Sequence, residues 1–518
     1  MIYFGGPLSA EIPDTDLARF TLASATELDE KPALIDGPSG RVLTYRALER
    51  GVRSFAAGLA SRGFRKGDTL AIYMPNVPEY AVAFYGTVAA GGRCTTVNPL
   101  YTVRELGFQL ADSGARMLLT VPAFLEAASE AAAGAGCELF VLGEAPGGES
   151  FEELLGDPDH PAAPAIDPRS DVASLPYSSG TTGLPKGVML SHHNLVANLL
   201  QADVLIGLSP DDVLVAVLPF FHIYGLSVIM GLGLWSGATL VTMPRFDLDQ
   251  YLELSERHRV TRAYVVPPIA LALAKHPAVD EHDLSALKLV FSGAAPLGPE
   301  MQEACSKRLG CPVSQGYGMT ELSPVTHAPP IGQPVKLGSV GPLAPETEAR
   351  LVDPDSGEDV EPGQPGEVLI RGPQVMLGYL NNPAATAATI DPDGWLHTGD
   401  VATADEDGWF YIVDRVKELI KYKGFQVAPA ELEAILINHP HVADCAVVGV
   451  PDEQAGERPK AFVVSACDAF DAQAVMQFVA EQVAPHKQLS DLVLIDEIPK
   501  SPSGKILRRV LRDEALVA

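Results

Sequence analysis

The segment Tyr177-Ser-Ser-Gly-Thr-Thr-Gly-Leu-Pro-Lys-Gly-Val-Met-Leu-Ser-His192 is the most informative stretch of this chain. The ten positions after Tyr177 hold three glycines, four hydroxyl side chains and the ammonium group of Lys186. Glycine lets the backbone approach a ligand closely, and successive N–H groups with hydroxyls and a cation can cradle phosphate oxygens. The segment is not a Walker-type loop, because Gly187 rather than a magnesium-binding hydroxyl follows Lys186. Taken alone, it is also compatible with a flexible surface loop.

The composition is that of a folded, acidic protein. Apolar residues make up 47 % of the 518 residues, and 37 basic against 66 acidic residues give a net charge of −29. This charge argues against nucleic acid as a partner, because nucleic acid is bound by basic patches. The six cysteines form no C-x-x-C pair, so neither a disulfide framework nor a zinc site is expected. The uncharged run at 226–243 is broken by Ser236-Gly237, and the N-terminus lacks a signal-peptide pattern, so we expect a cytoplasmic enzyme without stable membrane insertion.

The order of apolar segments predicts an α/β fold with two domains. As far as residue 315, short apolar strands alternate with helices, which indicates parallel βαβ units. Thr44 is expected to cap a helix, and a strand at 172–177 is expected to deliver the phosphate-binding segment at its carboxyl end. From 338 to 413, short strands and Asp-Gly turns predict an antiparallel, barrel-like subdomain. We therefore predict an N-terminal domain at 1–415, a hinge at 414–417 and a small mobile α+β domain at 418–518.

Six segments, in the same order along the chain, resemble the signature motifs of the adenylate-forming enzymes. This superfamily includes acyl-CoA synthetases, peptide-synthetase adenylation domains and firefly-type luciferases. The segments lie at 177–192, 315–321 (Gln-Gly-Tyr-Gly-Met-Thr-Glu), 394–400 (Gly-Trp-Leu-His-Thr-Gly-Asp), 411–415, 417–431 and 499–506. Within the superfamily, 221–224 and 424–433 look most like 4-coumarate–CoA ligases and their bacterial relatives. The resemblance implies an N-terminal AMP-binding domain and a rotating C-terminal domain.

The resemblance also implies a set of residues for ATP and Mg²⁺. Glu321 and Thr182 are the expected magnesium ligands, since Mg²⁺ prefers one or two carboxylates with substrate oxygens. The implied ATP and AMP contacts are Ser178, Ser179, Gly180, Thr181, Thr182, Gly183, Lys186, Gln315, Gly316, Tyr317, Thr320, Asp400, Arg415 and Lys505. Without the family, Asp400 would be an ordinary turn residue and Glu321 an acidic residue at a helix start.

Catalytic, acyl and CoA-binding residues follow from the same resemblance. The implied catalytic residues are Lys505, Lys421, Gln426, His222 and Glu321, with Lys417 at the hinge. The implied acyl pocket comprises His222, Tyr224, Val228, Gly293, Ala294, Gly318, Pro324 and Val325. Arg245, Lys423 and Gly424 are implied for CoA. Considered alone, the lysines are compatible with a solvated basic face, and His222 with a packed core histidine.

The predicted function is an ATP-dependent acid–CoA ligase that forms an acyl-adenylate and releases AMP and pyrophosphate. Its substrates would be a small carboxylic acid, ATP and CoA, with Mg²⁺, and it would act as a monomer or homodimer. Plant coumarate ligases carry serine where this chain has Val228, and lysine where it has Arg245. Val228 makes the pocket less polar, which favours cinnamate-like or medium-chain aliphatic acids over a hydroxylated ring. The predicted substrate is a hydroxycinnamate- or cinnamate-type aryl acid of phenylpropanoid metabolism. The first alternatives are a medium- or long-chain fatty acid–CoA ligase and a fatty-acid or aryl-acid AMP ligase that loads a carrier protein. Two further hypotheses are a luciferase-like oxygenase and a non-enzymatic binding homologue.

Overall fold

The computed structural model describes residues 1–178, 185–423, 425–452, 455–467, 469–501 and 504–517. The predicted sites at Ser179, Gly180, Thr181, Thr182, Gly183 and Gly424 lie outside these residues, and Gln426 is described by its backbone alone.

Two largely parallel sheets form the body of the molecule. The first has the strand order Tyr177–Ser178, Lys186–Ser191, Val172–Ser174, Arg93–Thr96, Thr69–Tyr73, Ala115–Thr120, Glu138–Val141 and Glu149–Ser150, and Gly378–Tyr379 also pairs with Lys186–Ser191. The second has the order Val313–Gln315, Leu289–Ser292, Arg262–Val265, Val213–Ala216, Thr239–Thr242, Pro32–Asp36 and Val42–Thr44. Strands in the interior of the sheets, such as Thr69–Tyr73, Thr239–Thr242 and Arg262–Val265, are buried along their whole length, as parallel strands covered on both faces should be.

Two antiparallel units adjoin these sheets. A five-stranded sheet has the order Tyr3–Phe4, Glu348–Val352, Gly366–Arg371, Leu396–Ala404 and Phe410–Arg415. A two-stranded ribbon joins Tyr317–Gly318 to Val325–His327. The predicted antiparallel structure at 338–413 is thereby confirmed, with Asp407-Gly408 in the hairpin that links the last two strands.

The C-terminal unit is built on a separate sheet with its own apolar core. Its strand order is Phe425–Val427, Ile420–Tyr422, Gly456–Ser465 and Val442–Asp452, with Asp491–Leu494 parallel to Gly456–Ser465. Ile420, Leu432, Val447 and Val475 are among the side chains buried between this sheet and its helices.

Helices cover the sheets. The α-helices are Leu17–Thr21, Ala25–Leu28, Tyr45–Ser61, Pro78–Ala89, Val103–Ser113, Leu125–Ala135, His192–Ile206, Gly233–Trp235, Leu248–Arg257, Pro267–Lys275, Pro299–Leu309, Pro383–Thr389, Pro429–Leu436, Ala472–Ala480 and Arg508–Val517. A π-helix spans Tyr224–Leu232, and 3₁₀ turns lie at Pro122–Phe124, Phe151–Leu154, Pro277–Glu281, Thr320–Leu322 and Pro485–Lys487. Among the described residues, no helix combines the length and apolar character needed to cross a bilayer.

Local sequence chemistry explains several of these boundaries, and it corrects one prediction. The Thr44 hydroxyl accepts a hydrogen bond from the N–H of Ala47 (3.2 Å), which confirms the predicted helix cap. A continuous strand at 172–177 is wrong: the strand ends at Ser174 and pairing resumes at Tyr177. Pro176 lies in this break and has no N–H to donate to a neighbouring strand, which accounts for the interruption. The strand Lys186–Ser191 pairs with Val172–Ser174 before the break and with Tyr177–Ser178 after it, so the two flanks of the phosphate-binding segment pair with each other.

Candidate active site

The flanks of the phosphate-binding segment are fixed by packing and hydrogen bonds. Tyr177 pairs with Gly187, where a Cβ atom would lie 3.0 Å from the Tyr177 ring, so this close approach requires glycine. The Tyr177 hydroxyl donates to Oδ2 of Asp112 (2.6 Å). Ser178 and Lys186 face each other across the same pair of strands. The two flanks of the phosphate-binding segment are thus held by strand pairing and by a side-chain hydrogen bond.

Glu321 lies beside this segment with its carboxylate almost fully buried (5 % exposed). Its Oε1 atom accepts two hydrogen bonds, from the Ser178 hydroxyl (2.9 Å) and from the Tyr379 hydroxyl (2.9 Å). The described residues contain no cluster of three or more potential metal ligands. A single carboxylate fits Mg²⁺ that is shared with nucleotide phosphates, because Mg²⁺ keeps most of its ligands from water and substrate.

Asp400 is the centre of a second polar cluster. It is 6 % exposed, and its Oδ2 accepts a hydrogen bond from the Tyr317 hydroxyl (2.6 Å). Arg415 lies opposite it on the neighbouring strand, with Nε 3.2 Å from Oδ1 of Asp400. A buried carboxylate held by two donors is rigid and still has acceptor capacity for hydroxyl groups such as those of a ribose.

Lys505 connects the C-terminal unit to this cluster. Burial and the nearby Arg415 lower the pKa of its ammonium group to about 8, against the opposing influence of Asp400 and Glu418. The preceding Gly504 has a φ of +79° and lies against the N-terminal unit, since a Cβ there would come within 3.3 Å of Val266. The lysine is therefore a desolvated cation beside the Asp400–Arg415 pair, at the predicted nucleotide site, where its charge interacts strongly.

His222 faces the same region from the other sheet. Burial, and after it the positive charge of Lys505, lowers the pKa of His222 to about 4, so the ring is neutral near pH 7. Its Nδ1 atom accepts a hydrogen bond from the N–H of Tyr224 (3.3 Å). A neutral ring with Nδ1 as acceptor carries its proton on Nε2, which can donate to a carboxylate.

The predicted acyl pocket is shaped by close packing. Tyr224 and Val228 lie on the π-helix, a wide-turned form that is frequent at functional sites. The Tyr224 ring lies against Gly293, where a Cβ atom would come within 2.8 Å of it. A Cβ on Gly318 would come within 2.0 Å of the Pro324 carbonyl oxygen. The pocket wall thus depends on two glycines that permit contacts no other residue could make.

The remaining predicted acyl residues, Ala294, Pro324 and Val325, adjoin these two glycines. Ala294 follows Gly293 with a φ of +70°, and Pro324 and Val325 are buried in the turn between the ribbon strands. Buried Asn198 holds this turn, because it donates to the carbonyl of Val325 (2.7 Å) and accepts from its N–H (3.0 Å). The structure therefore shows two contacting groups among the predicted acyl residues, Tyr224 with Gly293 and Gly318 with Pro324, and the pocket that they would form together stays a prediction.

The predicted nucleotide contacts that follow the second sheet differ in what their side chains do in this structure. Gly316 must be glycine, because a Cβ would meet the Phe291 ring at 2.5 Å. The side chain of Gln315 instead braces the adjoining turn, donating to the carbonyl of Leu297 (3.0 Å) and accepting from its N–H (2.9 Å). Thr320 begins the 3₁₀ turn that carries Glu321.

The candidate CoA residues that the structure describes lie on two different units. Arg245 is exposed on the N-terminal unit, while Lys421 and Lys423 are exposed on the C-terminal sheet, where Lys421 pairs with Gln426. Lys417 lies between the strands Phe410–Arg415 and Ile420–Tyr422, at the predicted hinge.

Sequence reasoning missed several supporting residues. Tyr379 bonds Glu321, Asp112 anchors Tyr177, and Asn198 holds the acyl-pocket turn. Arg508 was missed too: it forms buried ion pairs with Glu418 and Glu433, both at 2.6 Å. None of these residues stands in a segment whose composition marks it, and only their partners in space identify them.

Comparison with protein families identifies the chain. The model of the AMP-binding enzyme family matches residues 22–380, and that of the AMP-binding enzyme C-terminal domain matches residues 431–505. The chain belongs to the AMP-binding enzyme family. The resemblance inferred from the six motifs is therefore confirmed, and so is the α/β fold that it implies.

Individual relatives match this chain over nearly its whole length. A 4-coumarate–CoA ligase of Oryza sativa subsp. japonica is 46 % identical over 516 residues, covering 97 % of this chain and 95 % of that protein. The crystal structure of ATP-bound MatB from Rhodopseudomonas palustris is 31 % identical, has a TM-score of 0.88 and covers 96 % of this chain and 99 % of that one. The apo form of the same protein, 30 % identical over 97 % of this chain and 99 % of that one, has a TM-score of 0.78.

Proposed function

We propose that this AMP-binding enzyme is an acid–CoA ligase that activates an aryl-propenoic acid of the cinnamate and 4-coumarate type through an acyl-adenylate. The observation that carries the proposal is the convergence of Lys505, His222 and the Asp400–Arg415 pair at one site, within a family that binds AMP. The rice ligase, 46 % identical to this chain, supports the class of acid and the use of CoA.

In the first half-reaction, a carboxylate oxygen of the acid attacks the α-phosphorus of ATP, and pyrophosphate leaves. Two anions must approach each other, so a fixed cation in a water-poor site lowers the barrier. Lys505 is that cation, and the Nε2 proton of His222 orients the attacking carboxylate. Asp400 would accept hydrogen bonds from the ribose. Glu321 would hold Mg²⁺, which neutralises phosphate charge when bound.

In the second half-reaction, the CoA sulfur attacks the acyl carbonyl carbon, and the bond between that carbon and the AMP oxygen breaks. AMP leaves with the electron pair, and the thiol proton passes to solvent. Lys423 and Arg245 would bind CoA after the C-terminal domain rotates about the hinge at 414–417. Both residues are exposed and they lie on different units, which supports a CoA site that the two units complete together.

Contacts between the units support the interpretation that the present arrangement serves adenylation. Lys275 donates to the carbonyl of Ile437 (3.3 Å), Gly298 lies against Ala434, and Gly504 lies against Val266. The higher TM-score with ATP-bound than with apo MatB is consistent with this assignment. The 414–417 hinge and the cytoplasmic location stay predictions.

The proposal is tested by incubating the protein with ATP, Mg²⁺, CoA and a panel of cinnamic acids and C6 to C16 fatty acids. Thioesters are identified by mass spectrometry, and AMP is measured in parallel. We expect cinnamoyl and 4-coumaroyl thioesters with equal amounts of AMP. If only fatty-acyl thioesters form, the substrate is a fatty acid rather than an aryl acid. If AMP forms without any thioester, the acceptor is a carrier protein rather than CoA.

A further inference from the structure

Tyr379 lies where the two flanks of the phosphate-binding segment meet the candidate metal ligand. Its short strand, Gly378–Tyr379, pairs antiparallel with Lys186–Ser191, with Val188 opposite Tyr379. Backbone hydrogen bonds on both sides fix it there, from Leu377 to Met189 (2.9 Å) and from Leu380 to Gly187 (2.8 Å). The tyrosine is 6 % exposed, so its ring position is set by the sheet rather than by solvent.

The Tyr379 side chain makes two contacts with predicted functional groups. Its hydroxyl donates to Oε1 of Glu321 (2.9 Å), and the Nζ atom of Lys186 lies 4.3 Å from the centre of its ring. The same Oε1 atom accepts a hydrogen bond from Ser178. Ser178 and Lys186 bracket the phosphate-binding segment, so one Tyr–Glu pair is connected to both of its flanks.

We propose that Tyr379 is a positioning residue for adenylation, which holds Glu321 and Lys186 close together but prevents them from neutralising each other. The inference rests on the proposed ligase function and assigns a role to a residue outside its predicted machinery. Both groups contact the same tyrosine side chain, and without it they could approach each other and form an ion pair that satisfies both charges internally. Among the ion pairs of the described residues, none joins Lys186 to Glu321.

The aromatic ring is suited to this separation. Its face attracts an ammonium group through the ring quadrupole, and this contact leaves the positive charge uncompensated by an anion. The hydroxyl at the ring edge satisfies one lone pair of the buried carboxylate without removing its negative charge. Lys186 therefore stays available for phosphate oxygens and Glu321 for Mg²⁺, at a spacing that the rigid ring sets. Outer-shell partners of metal ligands commonly change metal affinity 10- to 100-fold when they are removed.

Two variants separate the two contacts. Tyr379→Phe removes the hydroxyl and keeps the ring, whereas Tyr379→Leu removes both. Tyr411→Phe is the matched control, because the Tyr411 hydroxyl also donates to a carboxylate, Asp405 (3.3 Å), on the antiparallel sheet. Thermal unfolding of all three proteins verifies that they are folded.

Binding is measured by calorimetry with α,β-methylene-ATP, with and without Mg²⁺, so that no turnover is needed. For Tyr379→Phe we expect the Mg²⁺ concentration needed for half-maximal nucleotide binding to rise about 10-fold, with metal-free nucleotide binding unchanged. For Tyr379→Leu we expect metal-free binding to weaken as well. In turnover assays, the KM for the acid and the conversion of supplied acyl-adenylate to thioester should match wild type.

Other outcomes overturn the proposal. If Tyr379→Phe depends on Mg²⁺ as the wild type does, the hydroxyl has no positioning role. If a Tyr379 variant loses activity equally in both half-reactions, the tyrosine has only a structural role. If Tyr379→Leu does not fold, the Mg²⁺ dependence of Tyr379→Phe alone tests the proposal. Failure of the ligase proposal is recognised separately, because the wild-type protein would then bind nucleotide but form no thioester from any acid tested.

Discussion

The pKa of about 8 for Lys505 leads to a specific prediction about pH. In the proposed mechanism, the lysine must carry its proton to neutralise the phosphate and carboxylate charges during adenylation. Because burial lowers its pKa below that of an ordinary lysine, it loses this charge within the range in which the protein can be assayed. We therefore expect adenylation to decline as the pH rises through 8.

The size of the effect follows from the titration curve. With a pKa of about 8, roughly nine-tenths of the lysine is charged at pH 7 and roughly one-tenth at pH 9. The kcat/KM for ATP reports the ionisation of the free enzyme, so it should fall about 10-fold over this interval. His222, with a pKa of about 4, stays neutral throughout and adds no further change.

The assay follows pyrophosphate release with ATP, Mg²⁺ and cinnamate in the absence of CoA, so that thiol ionisation does not contribute. Lys505→Arg is the decisive variant, because arginine keeps its charge at every pH used. Its profile should be flat from pH 7 to 9 even if its rate is lower. Lys505→Ala should lose about 10²- to 10³-fold in adenylation, the usual effect of removing one fixed electrostatic group.

An alkaline decline that persists in Lys505→Arg would refute the reasoning, because another group would then be titrating. The two half-reactions provide a second check. Lys505→Ala should still convert supplied cinnamoyl-adenylate to thioester, whereas Lys423→Ala should lose that conversion and retain adenylation. Equal losses of both half-reactions in either variant would contradict the two-arrangement account.

Three further predictions concern the pocket, the nucleotide and stability. Val228→Ser should raise the kcat/KM for 4-coumarate relative to cinnamate by about 10-fold, since a buried hydroxyl gives the phenol a partner; competition between the two acids measures the ratio. Asp400→Asn should raise the KM for ATP by roughly 10-fold, by weakening charge-assisted hydrogen bonds, with little change in the KM for the acid. Arg508→Ala should destabilise the protein by about 3–5 kcal/mol in chemical denaturation, because it leaves buried carboxylates unpaired, while exposed Arg509→Ala should not. Burial raises the pKa of Glu433, so lowering the pH should partly restore the Arg508→Ala variant as this carboxyl takes up a proton.

Much of the fold could be predicted from local patterns. Apolar segments of strand length, helix caps such as Thr44 and Asp-Gly turns are short-range features, so each is visible in the sequence itself. The prediction of one strand at 172–177 was wrong because pairing depends on neighbours as well as on composition. Pro176 interrupts it, and the parts on both sides of the interruption pair with the strand Lys186–Ser191, which follows the phosphate-binding segment.

The sequence by itself determined the family and predicted the chemistry-bearing residues, because a glycine-rich segment, an acidic residue after a hydroxyl and a lysine after a glycine stand in the family's order. It could not determine what supports them. The hydrogen bond between Tyr379 and Glu321 joins residues that are 58 positions apart in the sequence, and the one between Tyr177 and Asp112 joins residues that are 65 positions apart. The pKa values of Lys505 and His222 depend on burial and on charges contributed by distant segments. Only the tertiary structure decides such properties, because desolvation and pairing arise where remote parts of the chain pack together.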